Sequence, residues 1–107
     1  HQSRRGEPMS YTRVMVMELP KSVSWADNMK TYRREAVPGL KKLKKAKILK
    51  GWTVIQTGER SGMMLMDFAN KANMNKYLKI MGPIRQQVAA ESGMQTWLYH
   101  GPVKASG

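Results

Sequence analysis

The chain has 107 residues, 41% of them hydrophobic, which gives room for one globular domain with one modest core. It has no cysteine and two histidines, which excludes disulfides and thiolate metal sites and argues against a histidine-rich metal site in one chain. Nineteen Lys and Arg against seven Asp and Glu give a formal charge of +12, which favours nucleic acid, acidic membrane surfaces or anionic ligands as partners.

The chain contains no apolar run of the roughly 18–20 residues that a membrane-spanning helix needs. No secretory signal is visible either, so we predict a soluble, cytoplasmic protein with no membrane partner. Residues 1–10 are polar and are predicted to be a disordered tail. One hypothesis is that Met9 is the natural start. A single domain is expected over residues 11–103, followed by a short tail at 104–107.

The first predicted strand, Thr12–Leu19, has large apolar side chains on both faces. Neighbouring side chains of a strand point in opposite directions, and a half-solvated strand would therefore alternate apolar with polar residues. In this strand both faces are apolar, with Val14 and Val16 on one and Met15, Met17 and Leu19 on the other.

A helix is predicted to begin after Ser24, which can cap it. We expect it to end near Val37, because the residue before Pro38 disfavours helical backbone. Its apolar stripe recurs at helical spacing and consists of Trp25, Met29, Tyr32 and Ala36.

The next segment, residues 41–50, contains six lysines and no acidic residue. If it is helical, Leu40 and Leu43 share an apolar side. If it is extended, the lysines are solvated. A solvated face is the default, and nonspecific phosphate binding is the functional alternative. The lysines are Lys41, Lys42, Lys44, Lys45, Lys47 and Lys50.

A strand-like pattern runs from about Ile48 to Ile55, and a turn over residues 58–62 leads into a partner strand at 62–69. The partner strand repeats the unusual pattern, because residues 63–66 are four large apolar side chains in succession. Trp52 could face either a ligand cleft or a dimer interface, and the sequence leaves both open.

Asn70 can cap a second helix, which Gly82 and Pro83 are expected to interrupt. A short second segment is predicted over Ile84–Ala90. Gly93 should end it, and Met94–His100 should form the last strand. The apolar stripe of this helix contains Met74, Tyr77, Leu78 and Met81.

The order βαββαβ predicts an α+β, ferredoxin-like domain: a four-stranded antiparallel sheet with both helices on one face. The opposite face would then be bare and apolar, although monomers rarely expose large apolar patches. A second copy of the same sheet is the simplest cover. We therefore predict a homodimer in which two sheets pack together.

At this level the chain resembles the dimeric α/β-barrel superfamily, which includes the antibiotic-biosynthesis-type monooxygenases. The resemblance covers residues 11–103. It depends on VPGL at 37–40, the hairpin into MLMDFANKANMNKYL, the interrupted helix KYLKIMGPIRQQVAAE and the closing strand QTWLYHGPV. It implies a ligand cleft between helices and sheet. It also makes a cofactor-independent monooxygenase or an isomerase an expected activity, with a non-catalytic member equally defensible.

Haem-degrading members of that superfamily use an Asn on the first strand, with a His and a Trp. The first strand here has no Asn, so haem degradation is not expected, and we predict no cofactor and no metal. Glu18 and Asp67, the two strand carboxylates, should lie at opposite ends of the first and third strands, which argues against a paired-acid mechanism.

Candidate site residues come from the aromatic and methionine positions. Tyr99 and His100 are the candidate proton donor or base, although core packing explains the last strand more simply. The candidates for lining a cleft that takes a small hydrophobic or anionic ligand are Trp25, Tyr32, Trp52, Met74, Tyr77 and Trp97.

The alternative is a basic RNA-recognition-like module, which has the same element order and would use the six lysines. Residues 60–68 resemble the basic-Gly-aromatic motif on the third strand of those modules. However, the stacking positions hold Met63 and Leu65 instead of aromatic rings, so specific RNA binding would lack its usual mechanism.

Overall fold

A computed structural model describes residues 10–107, apart from the side chain of Ala89. The predicted order βαββαβ and the ferredoxin-like arrangement are confirmed. The elements are β1 (Tyr11–Glu18), α1 (Trp25–Thr31), a π-helical segment (Tyr32–Ala36), α2 (Val37–Lys45), β2 (Gly51–Gln56), β3 (Ser61–Phe68), α3 (Lys71–Ser92) and β4 (Gln95–Pro102).

The four strands form one antiparallel sheet in the order β2-β3-β1-β4. In the register of β1, Met15 lies opposite Met64 on β3 and opposite Leu98 on β4. The even-numbered residues of β3 therefore share a face with the odd-numbered residues of β1. The buried apolar side chains of this helix-covered face are Met15, Met17, Met64, Met66 and Phe68.

The core lies between this face and the helices, as the apolar stripes predict. From α3 come Met74, Tyr77 and Met81, each at most 2% exposed. The rings of Phe68 and Tyr77 lie 5.5 Å apart, in a tilted arrangement typical of aromatic pairs. The other buried residues of the core cluster are Leu40, Leu43 and Leu49.

The prediction that the first helix ends near Val37 is wrong, because α2 continues to Lys45. The backbone widens into a π-helical turn at Tyr32–Ala36, where Val37 N–H bonds to the carbonyl of Tyr32. This places Pro38 in the first turn of α2, where its missing N–H costs little. Burial of Leu40 and Leu43 then supports the helical alternative for the segment rich in lysine.

The predicted break at Pro83 is also wrong, because α3 is one 22-residue helix with Pro83 inside it. Residues on both sides of the proline contact the protein interior: Met81 is buried, and Arg85 lines a cavity described below. Packing on both sides outweighs the local cost of proline, which sequence propensity alone overestimates.

The predicted caps are confirmed. The Ser24 hydroxyl accepts a hydrogen bond from the N–H of Asp27 at 3.1 Å, and the Asn70 side chain accepts one from Asn73 at 2.8 Å. Gly93 follows α3 with a positive φ of 73°, a conformation that glycine adopts most easily.

Backbone pairing continues beyond the sheet, since the N–H of Val103 donates to the carbonyl of Ser10 at 2.7 Å. Except for Ser10, the tail predicted at residues 1–10 lies outside the described residues. Of the helices in residues 10–107, none is long and apolar enough to cross a membrane.

Candidate functional site

The structure contains a cavity of about 90 Å³ between the helix-covered face of the sheet and the surrounding helices. Most of its lining is apolar, and methionine is the commonest contributor. Methionine is flexible and polarizable, which suits an adaptable binding surface. The residues that line it include Met15, Met17, Tyr32, Glu35, Ala36, Met64, Tyr77, Met81, Ile84, Arg85, Val88 and Met94.

The π-helical segment forms one wall of this cavity through Tyr32, Glu35 and Ala36. The indole N–H of Trp52 donates a hydrogen bond to the Tyr32 hydroxyl, which ties β2 to this wall. Trp52 therefore lies on the helix-covered side of the sheet, and the question that the sequence left open is answered in favour of the cleft side.

The polar groups of the opposite wall come from α3. One guanidinium nitrogen of Arg85 lies 3.0 Å from the sulfur of Met15, and the buried side chain of Tyr77 contributes a phenol. Burial is the main influence on Tyr77 and raises the pKa of its hydroxyl above the ordinary value. That hydroxyl therefore stays protonated at neutral pH and can donate a hydrogen bond.

Behind Tyr77 lies Arg13 of β1, a residue that the sequence reasoning did not select. Its side chain is only 4% exposed, its Nε has no hydrogen-bond partner, and its guanidinium carbon is 6.0 Å from the Tyr77 ring centroid. Burial, followed by the charge of Arg85, lowers the pKa of Arg13. The sequence did contain a signal for its burial: Arg13 lies two residues before Met15 and four before Met17, so in a strand it points to the same face as they do.

The predicted catalytic pair is divided between the two faces of the sheet, as neighbours on a strand must be. Tyr99 is 59% exposed and lies on the face without helices. His100 lies on the other side, with its Nδ1 2.9 Å from the Tyr11 hydroxyl. Neither residue lines the cavity. A catalytic role for either one stays a prediction.

The six residues predicted to bind a ligand have different surroundings. Tyr32 and Tyr77 line the cavity, whereas Met74 is buried in the core. Trp25 and Trp52 are partly buried and pack against the core. Trp97 is 46% exposed on the face without helices, so it is separated from the others by the sheet.

The strand carboxylates lie as predicted, at opposite ends of the β1–β3 pair. Asp67 is opposite Thr12 and accepts a hydrogen bond from its hydroxyl at 2.7 Å. Glu18 is opposite Ser61 at the other end. Within residues 10–107, no cluster of three or more His, Asp or Glu side chains could hold a metal ion.

The six lysines of residues 41–50 are all exposed. Four of them lie on α2, whose buried side consists of Leu40 and Leu43, and Lys50 donates to the Ser10 hydroxyl at 2.9 Å. They belong to the helix layer of the molecule. An RNA-recognition module would instead use aromatic rings on the opposite face of its sheet.

No family model matches the sequence, and no curated protein matches it at a significant level. Solved structures do. Two dimeric ferredoxin-like proteins from uncultured marine organisms are similar, with 11% and 15% identity and TM-scores of 0.77 and 0.69. The first match covers 91% of this chain and 97% of the other, and the second covers 94% and 100%.

A protein of unknown function from Nitrosomonas europaea is also similar, with 17% identity and a TM-score of 0.63, over 92% of this chain and 94% of the other. At these identities the likeness is one of fold. The chain therefore has the ferredoxin-like α+β fold of these solved structures.

Proposed function

We propose that this chain forms a homodimer through the face of the sheet that carries no helix, and binds a small hydrophobic or anionic ligand in the cavity of each protomer. The observation that supports ligand binding most directly is the methionine-rich cavity with its few polar groups. Small-molecule sites usually combine an apolar lining with a small number of placed polar groups in this way.

The helix-free face has an apolar centre made of two rows that cross the sheet. One row runs Thr53–Leu65–Val14–Tyr99 and the other Ile55–Met63–Val16–Trp97. Polar residues flank the rows, with Thr12 and Asp67 on one side and Glu18 and Gln95 on the other. An apolar centre with a polar rim is the usual anatomy of a protein interface.

A second copy is the proposed cover for this face because two of the similar solved structures are dimeric ferredoxin-like proteins. Covering about 400 Å² of apolar surface on each of two chains is worth on the order of 20 kcal/mol for the pair at ~25 cal/mol per Å². That gain exceeds the ~4–15 kcal/mol that association costs in lost freedom of motion.

The dimer is tested by replacing each of two exposed isoleucines, in separate variants, with glutamate. Ile55 lies on the helix-free face and is 41% exposed, and Ile80 lies on α3 and is 52% exposed. We expect Ile55→Glu to give a monomer and Ile80→Glu to stay dimeric in sedimentation equilibrium at micromolar concentration. A wild-type monomer, or a dimer that tolerates Ile55→Glu, would contradict the proposed interface.

Ligand binding is tested by filling the cavity. Ala36 lines it, whereas Ala26 is exposed on α1. We expect Ala36→Leu to weaken binding of a small hydrophobic anion, benzoate, at least tenfold in calorimetric titrations, and Ala26→Leu to leave it unchanged. Circular dichroism of both variants checks the fold. Equal binding by both variants would show that the probe does not enter the cavity.

Catalysis is the finer part of this proposal. A cofactor-independent oxygenase or isomerase would need a proton donor or base at the cavity, where the available groups are Tyr32, Tyr77 and Glu35. Tyr99 and His100 remain the sequence-based candidates. Once a substrate is known, turnover by Tyr99→Phe and His100→Ala, set beside Tyr32→Phe, distinguishes the two sets.

Nucleic-acid binding is the second candidate, and the observation in its favour is the exposed lysine surface of α2. Fluorescence anisotropy with single-stranded RNA across a salt series tests it, because phosphate binding falls steeply with salt. Loss of that binding after replacing Lys41, Lys44 and Lys45 by Gln would support it. No binding at low salt would eliminate it.

A further inference from the structure

Two arginines lie on one side of the cavity: Arg85 is part of its lining, and Arg13 lies behind Tyr77. We propose that it selects a compact aromatic or aliphatic molecule bearing a carboxylate, with Arg85 and the Tyr77 hydroxyl contacting the carboxylate and Arg13 acting behind them as a positioning residue. This inference rests on the proposed ligand-binding function and names the class of ligand.

Arg13 gives the strongest evidence. Placing a guanidinium in the interior is costly unless an anion or several acceptors compensate it. Here the side chain is 4% exposed, its Nε lacks a partner, and the charged group that most affects it is a second cation, Arg85. The favourable contacts of Arg13 are a hydrogen bond with the Tyr77 side chain and the Tyr77 ring 6.0 Å away, and neither supplies a carboxylate. Residues 10–107 contain one salt bridge, between Arg34 and Glu35, so neither Arg13 nor Arg85 is paired with a carboxylate of this part of the chain.

Arg85 supplies the direct contact. It lines the cavity, and the hydrogen-bond acceptor found for it is the thioether of Met15 at 3.0 Å. A thioether is a weak acceptor, whereas a guanidinium presents a planar fork of N–H donors that matches a carboxylate. Most of the donor capacity of Arg85 is therefore left for a ligand in the cavity.

Tyr77 supplies the second contact. Its side chain is 1% exposed and lines the same cavity. Because burial raises the pKa of the hydroxyl, the phenol remains a donor, and a donor complements a carboxylate oxygen. Together, Arg85 and Tyr77 place donors on the α3 wall while the methionines of β1 and β3 form the apolar wall.

The other charged group at the cavity does not oppose this assignment. Glu35 lines the opposite wall, on the π-helical segment, and its carboxylate is 3.3 Å from Nε of Arg34. The ligand must also be compact, since a cavity of about 90 Å³ is smaller than the roughly 300–1,000 Å³ typical of sites for larger ligands.

The experiment compares benzoate with benzyl alcohol, which have similar shapes but differ in charge, and uses inorganic phosphate as an anion without an apolar part. Calorimetric titrations are run on the wild type, Arg85→Met and Arg60→Met. Arg60 is exposed at the β2–β3 turn, so its replacement removes the same charge away from the cavity.

We expect the wild type and Arg60→Met to bind benzoate at least tenfold more tightly than benzyl alcohol. We expect neither protein to bind phosphate. We expect Arg85→Met to bind the two probes equally. Equal binding by the wild type, or an unchanged ratio in Arg85→Met, would overturn the carboxylate assignment while leaving a ligand cleft in place. Binding of neither probe would overturn the cleft itself.

Discussion

The two faces of the sheet have similar hydrophobicity but different residue types. On β1 and β3, the helix-covered face holds Met15, Met17, Met64, Met66 and Phe68, all buried. The helix-free face of the same strands holds Val14, Val16, Met63 and Leu65, all partly exposed in the protomer. Flexible methionines thus predominate where the sheet meets helices, and branched side chains where it is open.

This difference has a physical reason. The helix layer is irregular, since it includes a π-helical turn and a proline in α3, and unbranched methionine can fill irregular gaps. Valine and isoleucine have restricted rotamers and pack well on a regular pleated surface. A regular pleated surface of this kind is better suited to packing against another sheet than to enclosing a ligand.

The largest effect should come from the same substitution on the two faces of β3. Met66 is fully buried, and we expect Met66→Ala to lower the free energy of unfolding by about 2–5 kcal/mol. Met63→Ala, on the helix-free face, should cost less than about 1 kcal/mol in dilute protein. Urea denaturation at low protein concentration measures both, and equal losses would refute the contrast between the faces.

A somewhat smaller effect is expected at Gly62, on the helix-covered face. A Cβ there would lie 2.6 Å from the Trp25 ring and 2.8 Å from the carbonyl of Ile55. We expect Gly62→Ala to cost about 1–3 kcal/mol through overpacking. Gly51→Ala is the control, since a Cβ there has no neighbour within 4 Å. A loss in the control as large as that in Gly62→Ala would remove this explanation.

Arg13 also lies on the helix-covered face, but there we expect a substitution to raise the free energy of unfolding. Replacing this buried cation, which has no carboxylate partner within residues 10–107, by methionine should raise the free energy of unfolding of the ligand-free protein by about 1 kcal/mol. Thermal unfolding of Arg13→Met beside Arg60→Met checks this. If Arg13→Met proved as damaging as Met66→Ala, the arginine would have a structural role and the carboxylate site would lose support.

The smallest effect concerns Tyr77 in alkaline solution. Because burial raises the pKa of its hydroxyl above the ordinary value of 10.0, ionisation above that pH is easier in the unfolded chain. The stability that the protonated hydroxyl contributes is therefore present below pH 10 and lost as pH rises above it. Denaturation of the wild type should show this extra loss relative to Tyr77→Phe, and parallel pH profiles would contradict it.

Much of the fold was predictable because it depends on two repeating patterns of apolar residues, every second residue in a strand and every third or fourth residue in a helix. Alternation placed Met15 and Val14 on opposite faces, and helical spacing identified Met74, Tyr77 and Met81 as inward-facing. The errors arose at Pro38 and Pro83, where local propensity predicts an end or a break. At Pro38 a π-helical turn lets the helix continue, and at Pro83 packing on both sides outweighs the cost of the proline. A single sequence reveals neither.

The site was less accessible to sequence reasoning. Tyr32 and Tyr77 were selected as aromatic members of helical stripes, and both line the cavity. For Trp52 the sequence left the cleft and the dimer interface open, and only the pairing of Trp52 with Met66 on β3 places it on the helix-covered face. Arg13 and Arg85 were not selected, because a single arginine in a sequence usually lies on the solvent-exposed surface. Only the folded structure shows that both lie close to Tyr77.

The proline inside α3 also affects how that helix is held. Pro83 has no N–H to donate to the carbonyl one turn earlier, so the hydrogen-bond ladder is interrupted between the half that contributes Met74 and Tyr77 and the half that contributes Arg85 and Val88. One backbone hydrogen bond that would join the two halves is therefore missing. Because the residues before Pro83 include the buried Met74, Tyr77 and Met81, we expect amide hydrogen exchange to be faster after Pro83 than before it.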